Sequence, residues 1–328
     1  MTELPSTRPE PTARTIDSTP TTHAVPAVAL PSPQVRALGS LRGLAVGDAL
    51  GAQHFVPANL ARLRRRELPD APWPWTDDTE MACAVYAELA AHGRIDQDRL
   101  AASFARHHDF DRGYGPTVNR MLRLVRAGGS WRELAAESFD GTGSWGNGAA
   151  MRVAPLGAWF ADDPERAAYE AARSAEVTHR HPEGVAGAVA VAVGTALACD
   201  RTAHLAPDAF VAAVAAATPP GLVRTRLDSA RRLLDRADAA QVGRTLGNGR
   251  RVSAPDTVLF TIWVAARHRD DFEAAFWATA SAGGDVDTTC AIVGGIIGAR
   301  VGAERLPAGW WDRVEALPDW AFAAAQAD

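Results

Sequence analysis

The chain has 328 residues, 47% of them hydrophobic, and a formal charge of −5. That length suits one large domain or two ordinary ones, and the acidic balance argues against a general binder of nucleic acid or anionic membranes. All 34 residues counted as Lys or Arg are Arg, which removes lysine-based chemistry such as a Schiff base.

Residues 1–33 are rich in Thr, Pro and Ser and lack aromatic side chains, a composition that predicts a disordered tail. With no basic start and no apolar run there, no signal peptide is expected. No stretch of the chain reads as long and uninterrupted enough to span a bilayer. Order is predicted to begin near Val35, where Leu38, Leu41, Leu44 and Ala45 recur at helical spacing. Late in that helix comes Gly47-Asp48-Ala49-Leu50-Gly51. Its glycines suggest close packing near a site. Asp48 in an apolar run needs a partner, either a structural hydrogen bond or a contact behind metal ligands.

Trp75-Thr76-Asp77-Asp78-Thr79 follows and opens the helix read over 81–91. Helical spacing continues over 100–106 and 119–127, and His107-His108 reads as surface. Then Gly141-Thr142-Gly143-Ser144-Trp145-Gly146-Asn147-Gly148 precedes what reads as a helix from Ala149 onward. Closely spaced glycines expose backbone N–H groups, and a following helix N-terminus favours an anion, here a diphosphate. Trp145 offers a face to a purine. A plain turn is the more frequent meaning of such a loop; its weight comes from sharing a chain with a candidate metal site.

Further helices are read over 164–177, 185–199, 209–217, 222–237, 257–268 and 289–301, and no alternating run is convincing as a strand. Thr178-His179-Arg180-His181-Pro182 separates two of them. The plainer reading is a protonated His at a helix C-terminus; the functional one is a hydrogen bond from His179 to a ribose hydroxyl or a phosphate. The second acidic motif is Gly284-Asp285-Val286-Asp287-Thr288-Thr289, followed by the glycines of Gly294-Gly295-Ile296-Ile297-Gly298, which suit tight core packing. Cys83, Cys199 and Cys290 fit neither zinc nor disulfide spacing and read as buried thiols of a cytoplasmic protein.

The two acidic motifs carry the chemical argument. Each supplies two carboxylates and neighbouring hydroxyls at the start of a helix. Oxygen-only donors suit Mg²⁺, Mn²⁺ or Ca²⁺ over Zn²⁺. Asp77 and Asp78 point different ways, whereas Asp285 and Asp287 share a side in an extended segment. Brought together, they would hold a metal pair about 3.5–4 Å apart. Either motif alone reads equally well as a helix cap; two in one chain weaken that reading.

These motifs, in this order, resemble the ADP-ribosylglycohydrolase family. The matching segments are Gly47-Asp48-Ala49-Leu50-Gly51, Trp75-Thr76-Asp77-Asp78-Thr79, Gly146-Asn147-Gly148-Ala149-Ala150-Met151-Arg152, Thr178-His179 and Gly284-Asp285-Val286-Asp287-Thr288, within about Leu38 to Val301. The resemblance implies an all-α fold, a single compact orthogonal helical domain over 34–328. It implies two Mg²⁺ (or Mn²⁺) held by Thr76, Asp77, Asp78, Asp285, Asp287 and Thr288. It implies that Gly143, Ser144, Trp145, Gly146, Asn147 and Gly148 cradle ADP-ribose and that His179 contacts it.

The implied activity is hydrolysis of the glycosidic bond in an ADP-ribosylated protein, nucleic acid or small molecule, with Asp77, Asp78 and Asp287 as candidates to assist the water. One departure stands out. The family often places a glutamate soon after the Gly-Asp-Ala-Leu-Gly motif; here the chain reads Gln53-His54-Phe55. Metal binding is then expected to rest wholly on the six residues above, and the pocket mouth to be more apolar; the rival is that this segment packs outside the site. The departure also keeps open a non-catalytic ADP-ribose-binding protein, and the carboxylates a two-metal nucleotide phosphohydrolase.

Overall fold

Glycine recurs at every fourth position of the first helix, at Gly39, Gly43, Gly47 and Gly51. Residues four apart share a helix face, so the helix carries one stripe without side chains. In the computed structural model, which describes residues 1–2, 30–201 and 205–326, that stripe lies against the helix Val286–Val301. A Cβ on Gly43 would stand 2.3 Å from the carbonyl oxygen of Gly294, and one on Gly47 2.1 Å from that of Cys290. A side chain at either position would force two buried backbones apart, and overpacking of this kind costs ~1–3 kcal/mol or more.

The described residues form fifteen α-helices and no strand. The first four are α1 (Pro33–Ala52), α2 (Leu60–Arg64), α3 (Asp77–His92) and α4 (Gln97–His107). Next come α5 (Pro116–Arg126), α6 (Trp131–Glu137), α7 (Ala154–Trp159) and α8 (Pro164–Glu176). They are followed by α9 (Pro182–Cys199), α10 (Pro207–Ala217), α11 (Leu222–Arg232) and α12 (Ala239–Leu246). The last three are α13 (Ala254–His268), α14 (Phe272–Ala280) and α15 (Val286–Val301). The expected tail falls, over residues 3–29, outside the described residues. α1 starts behind Ser32, whose hydroxyl accepts from the Val35 amide, with Pro33 in the first turn, where a missing N–H costs nothing.

α1, α9, α13 and α15 carry buried residues on nearly every face and form the centre. Phe260 and Trp263 of α13 are fully buried; burying each stabilises by roughly 1.5–3 kcal/mol or more. α9 corrects one expectation, since Pro182–Cys199 is long and apolar enough by length and composition to cross a membrane. It is 78% buried within the fold, and an Ala- and Val-rich helix with core neighbours on all sides needs no lipid. The helix expected to 237 stops at Arg232, and the one expected from Ala149 is a 3-10 turn, Asn147–Ala149, with α7 beginning at Ala154. Nor is His108 on the surface: the chain turns inward after α4 and its ring packs edge-on against Tyr114 at 4.6 Å.

Candidate metal centre and ligand cleft

The glycine seam sets the floor of the site. Because α1 and α15 touch backbone to backbone, Asp48 near the end of α1 comes beside Asp287 in the first turn of α15. The start of α3 closes the third side. One carboxylate oxygen each from Asp48, Asp78 and Asp287 lies within 4.8 Å of the others. Asp48 Oδ2 accepts from the Thr76 and Thr79 amides at 2.9 and 3.2 Å and from Thr79 Oγ1 at 2.6 Å; its Oδ1 accepts from Thr76 Oγ1 at 2.8 Å. Asp48 thus caps α3 from a neighbouring helix, where a negative charge meets the positive end of the helix dipole.

Around that floor the chain provides a cavity of about 520 Å³, within the range of small-molecule sites. Asp77, Asp78, Asp285, Asp287 and Thr288 line it at one end, and Ser144, Trp145, Gly146, Asn147, Gly148 and His179 line another wall. The two walls are tied together: Asn147 Nδ2 donates to Asp285 Oδ2 at 2.7 Å. Two of the expected residues stand behind the surface. Thr76 hydrogen bonds with Asp48 and Asp78. Gly143 (φ +78°) packs against the backbone of residues 180 and 181, where a Cβ would meet the His181 nitrogen at 2.6 Å.

A further wall is held in place by residues outside the recognised motifs that do not themselves line the cavity. Glu80 follows the first acidic motif directly, and its Oε2 accepts from the Asp109 amide at 3.1 Å and the Tyr114 hydroxyl at 2.6 Å. Arg112 lies 3.4 Å over the Trp75 ring and is bidentate to Glu315 at 2.8 and 2.7 Å. These contacts pin the loop whose Gly113, Gly115, Pro116, Thr117 and Val118 form a further wall. Glycines flanking a tyrosine were the signal in the sequence. Phe139 and Val252 also line the cavity, with φ of +53° and +50°. For a β-branched residue this is a strained backbone, costing about 1–3 kcal/mol. By contrast Gln53, His54 and Phe55 are not among the lining residues. Gln53 Nε2 donates to the Ala49 carbonyl and its Oε1 accepts from Asn59, while Phe55 is 55% exposed. These three residues form a 3-10 turn that follows α1 outside the cleft.

The electrostatics of the floor are one-sided. Burial first, then neighbouring Asp48, Asp285 and Glu80, pushes the Asp77 carboxyl up to about 8. Burial and the adjacent carboxylates hold Asp78 and Asp287 well above the usual carboxylate range, and burial raises Asp48 and Asp285. No Arg or His among the described residues forms an ion pair with any of the five. Asp78 Oδ1 is buried and has no hydrogen-bond partner. Oxygen-only donors, excess negative charge and an unpaired buried oxygen together fit a divalent hard cation. His179, in contrast, is pushed down to about 3 by burial and by Arg152, so it is a neutral imidazole, not the protonated cap of the plainer reading.

A family model described as ADP-ribosylglycohydrolase matches residues 29–327. The chain belongs to the ADP-ribosylglycohydrolase family. It is 28% identical over 298 residues to the ADP-ribosyl-[dinitrogen reductase] glycohydrolase of Rhodospirillum rubrum, covering 87% of this chain and 92% of that one. It is 30% identical over 324 residues to human ADP-ribosylhydrolase ARH3, covering 84% and 88%. A solved structure described as an ADP-ribosylglycohydrolase-related protein complex is 27% identical and superposes with a TM-score of 0.61, over 89% of this chain and 96% of that one. The all-α fold expected from the motifs is therefore the fold of the family.

Proposed function

We propose that this ADP-ribosylglycohydrolase-family chain is a metal-dependent hydrolase that releases ADP-ribose from an ADP-ribosylated target. The observation that supports it most is the junction of the two walls. The glycine-rich loop and the acidic motifs line one cavity and meet through the Asn147–Asp285 hydrogen bond.

In this reading Asp77, Asp78, Asp285 and Asp287 hold Mg²⁺ or Mn²⁺, with the hydroxyls of Thr76 and Thr288 beside them. Such ions, when bound, neutralise the carboxylates and polarise oxygens of the substrate. Asp48 orients the first turn of α3 and so aims Asp77 and Asp78. Backbone N–H groups of residues 144–148 and the His179 ring receive the diphosphate and ribose, and Trp145, 48% exposed at the rim, stacks on the purine. Water adds to the anomeric carbon, the bond from that carbon to the target breaks, and the target leaves with a proton. A carboxylate of Asp77, Asp78 or Asp287 takes the proton of the attacking water.

The test is a panel of substrates with ADP-ribose on arginine, serine, a nucleobase or a small molecule, incubated with Mg²⁺ or Mn²⁺ and read as free ADP-ribose. Release that requires metal supports the proposal. Tight ADP-ribose binding with no release on any linkage replaces it with a non-catalytic binder; release of phosphate replaces it with a phosphohydrolase.

A further inference from the structure

Arg152 is fully buried, has no carboxylate partner, and sits one residue behind the cleft wall. Its Nη2 donates to the Ser174 carbonyl at 2.7 Å. Its Nη1 reaches Thr178 Oγ1 at 2.9 Å, the Gly148 carbonyl at 3.3 Å and Met81 Sδ at 3.6 Å. The guanidinium carbon lies 4.6 Å from the centre of the Phe104 ring. Beyond Thr178, Oγ1 is 2.7 Å from Nδ1 of His179. The three groups form a chain: guanidinium, hydroxyl, imidazole.

The direction of that chain follows from what each group can do. A guanidinium only donates, so the contact with Arg152 uses a lone pair of Thr178 Oγ1. The hydroxyl then has its own proton to place, and Nδ1 of His179 is the one acceptor within hydrogen-bond distance of Oγ1 among the described residues. Were Nδ1 itself protonated, two donors would converge on one hydroxyl and the hydroxyl proton would be buried without an acceptor, the costlier arrangement. Nδ1 therefore accepts, and the ring proton belongs on Nε2. That nitrogen faces the glycine-rich loop: it lies 3.1 Å from where a Cβ on Gly146 or on Gly148 would stand, on the cavity wall.

We infer that Thr178, held by Arg152, is a positioning residue that fixes the tautomer of His179, so that the ring meets its ligand as an uncharged Nε2–H donor. The ligand atom it serves is an oxygen of a phosphate or a ribose hydroxyl; the other tautomer would turn a lone pair toward it and repel it. The inference rests, for the ligand, on the function proposed above; the tautomer itself does not. The depressed pKa of His179, about 3, agrees with a ring that stays neutral through the physiological range.

The test is ¹⁵N NMR of the full chain labelled at histidine. The His179 ring pair, among nine histidines, is assigned by its loss in His179→Gln. Wild type and Thr178→Ser should show a protonated Nε2 and an unprotonated Nδ1 from about pH 5 to pH 8. Thr178→Val, which keeps the shape and removes the hydroxyl, should lose that single tautomer. Calorimetry with ADP-ribose should then show binding weakened roughly 10-fold in Thr178→Val and restored in Thr178→Ser. In a His179→Ala background Thr178→Val should add no further loss. A wild-type ring protonated on Nδ1, or on both nitrogens at pH 7, overturns the inference without needing any variant to fold. If wild type shows the Nε2 tautomer but does not bind ADP-ribose, the proposed function fails and the tautomer assignment stands.

Discussion

Two buried charged groups flank the same cleft and are treated in opposite ways. On one side Arg152 has no carboxylate, yet its guanidinium is spread over two carbonyls, a hydroxyl, a thioether and an aromatic face. On the other side five carboxylates have no cation, and Asp78 Oδ1 has no partner at all. The first arrangement is nearly closed: groups of the fold take up both Nη atoms, and of the guanidinium only Nε is left without a partner. The second is open: like charges repel across a few ångströms and face a cavity. Within one fold, a lone buried charge held by groups of the fold marks a structural anchor, and a cluster of like charges lining a cavity marks a place for a ligand.

That contrast should show most strongly in paired substitutions. Asp78→Asn should reduce turnover by at least about 100-fold, taking the loss at outer-shell metal residues as a lower bound. In EDTA it should raise thermal stability, because one of several repelling charges is gone. Arg152→Met should do the reverse in a melt. It removes the guanidinium donor from the Ser174 and Gly148 carbonyls and from the Thr178 hydroxyl, which keeps its bond to His179; a buried acceptor left unpaired costs ~1–3 kcal/mol, and the melting temperature should fall with or without metal. Equal destabilisation by both changes would erase the distinction.

The pH dependence sharpens it. A carboxylate whose folded pKa is raised contributes its full stability below the unfolded value near 3.8 and loses it as pH climbs through the folded value, about 8 for Asp77. Metal-free protein should therefore lose melting temperature steadily from about pH 5 to pH 8. Saturating Mg²⁺ or Mn²⁺ should flatten that slope, since a bound cation favours the ionised carboxylates. A slope unchanged by metal would separate the acidic cluster from cation binding.

Smaller effects are expected at the rim. Trp145→Ala should weaken ADP-ribose binding by about 1–3 kcal/mol if the ring stacks on the base, measured by calorimetry. Phe55→Glu should leave the substrate profile unchanged and alter stability by less than about 0.5 kcal/mol, because that side chain is exposed and outside the cleft. A shifted profile would return the segment to the pocket mouth, as its position after the Gly-Asp-Ala-Leu-Gly motif first suggested.

Local chemistry determined much of this protein. Glycines spaced by four, and the cluster at 294–298, already marked helices that approach closely. Two acid-and-hydroxyl motifs at helix starts marked oxygen ligands, because caps and metal sites draw on the same residue types. Tertiary structure alone decided which of these meet. Asp48 joins Asp78 and Asp287 only because the α1–α15 seam brings residues more than 200 apart to van der Waals distance. Glu80, Arg112 and Tyr114 became visible only when the loop they pin was seen to be a wall of the cleft. Thr76 and Gly143, named from their motifs, lie behind the surface, since motif membership gives a position in the chain and not the direction of a side chain. From its place at a helix end His179 read either as a protonated cap or as a donor to a ribose or phosphate; its neutrality and its tautomer came from burial and from Arg152 and Thr178, which spacing does not show.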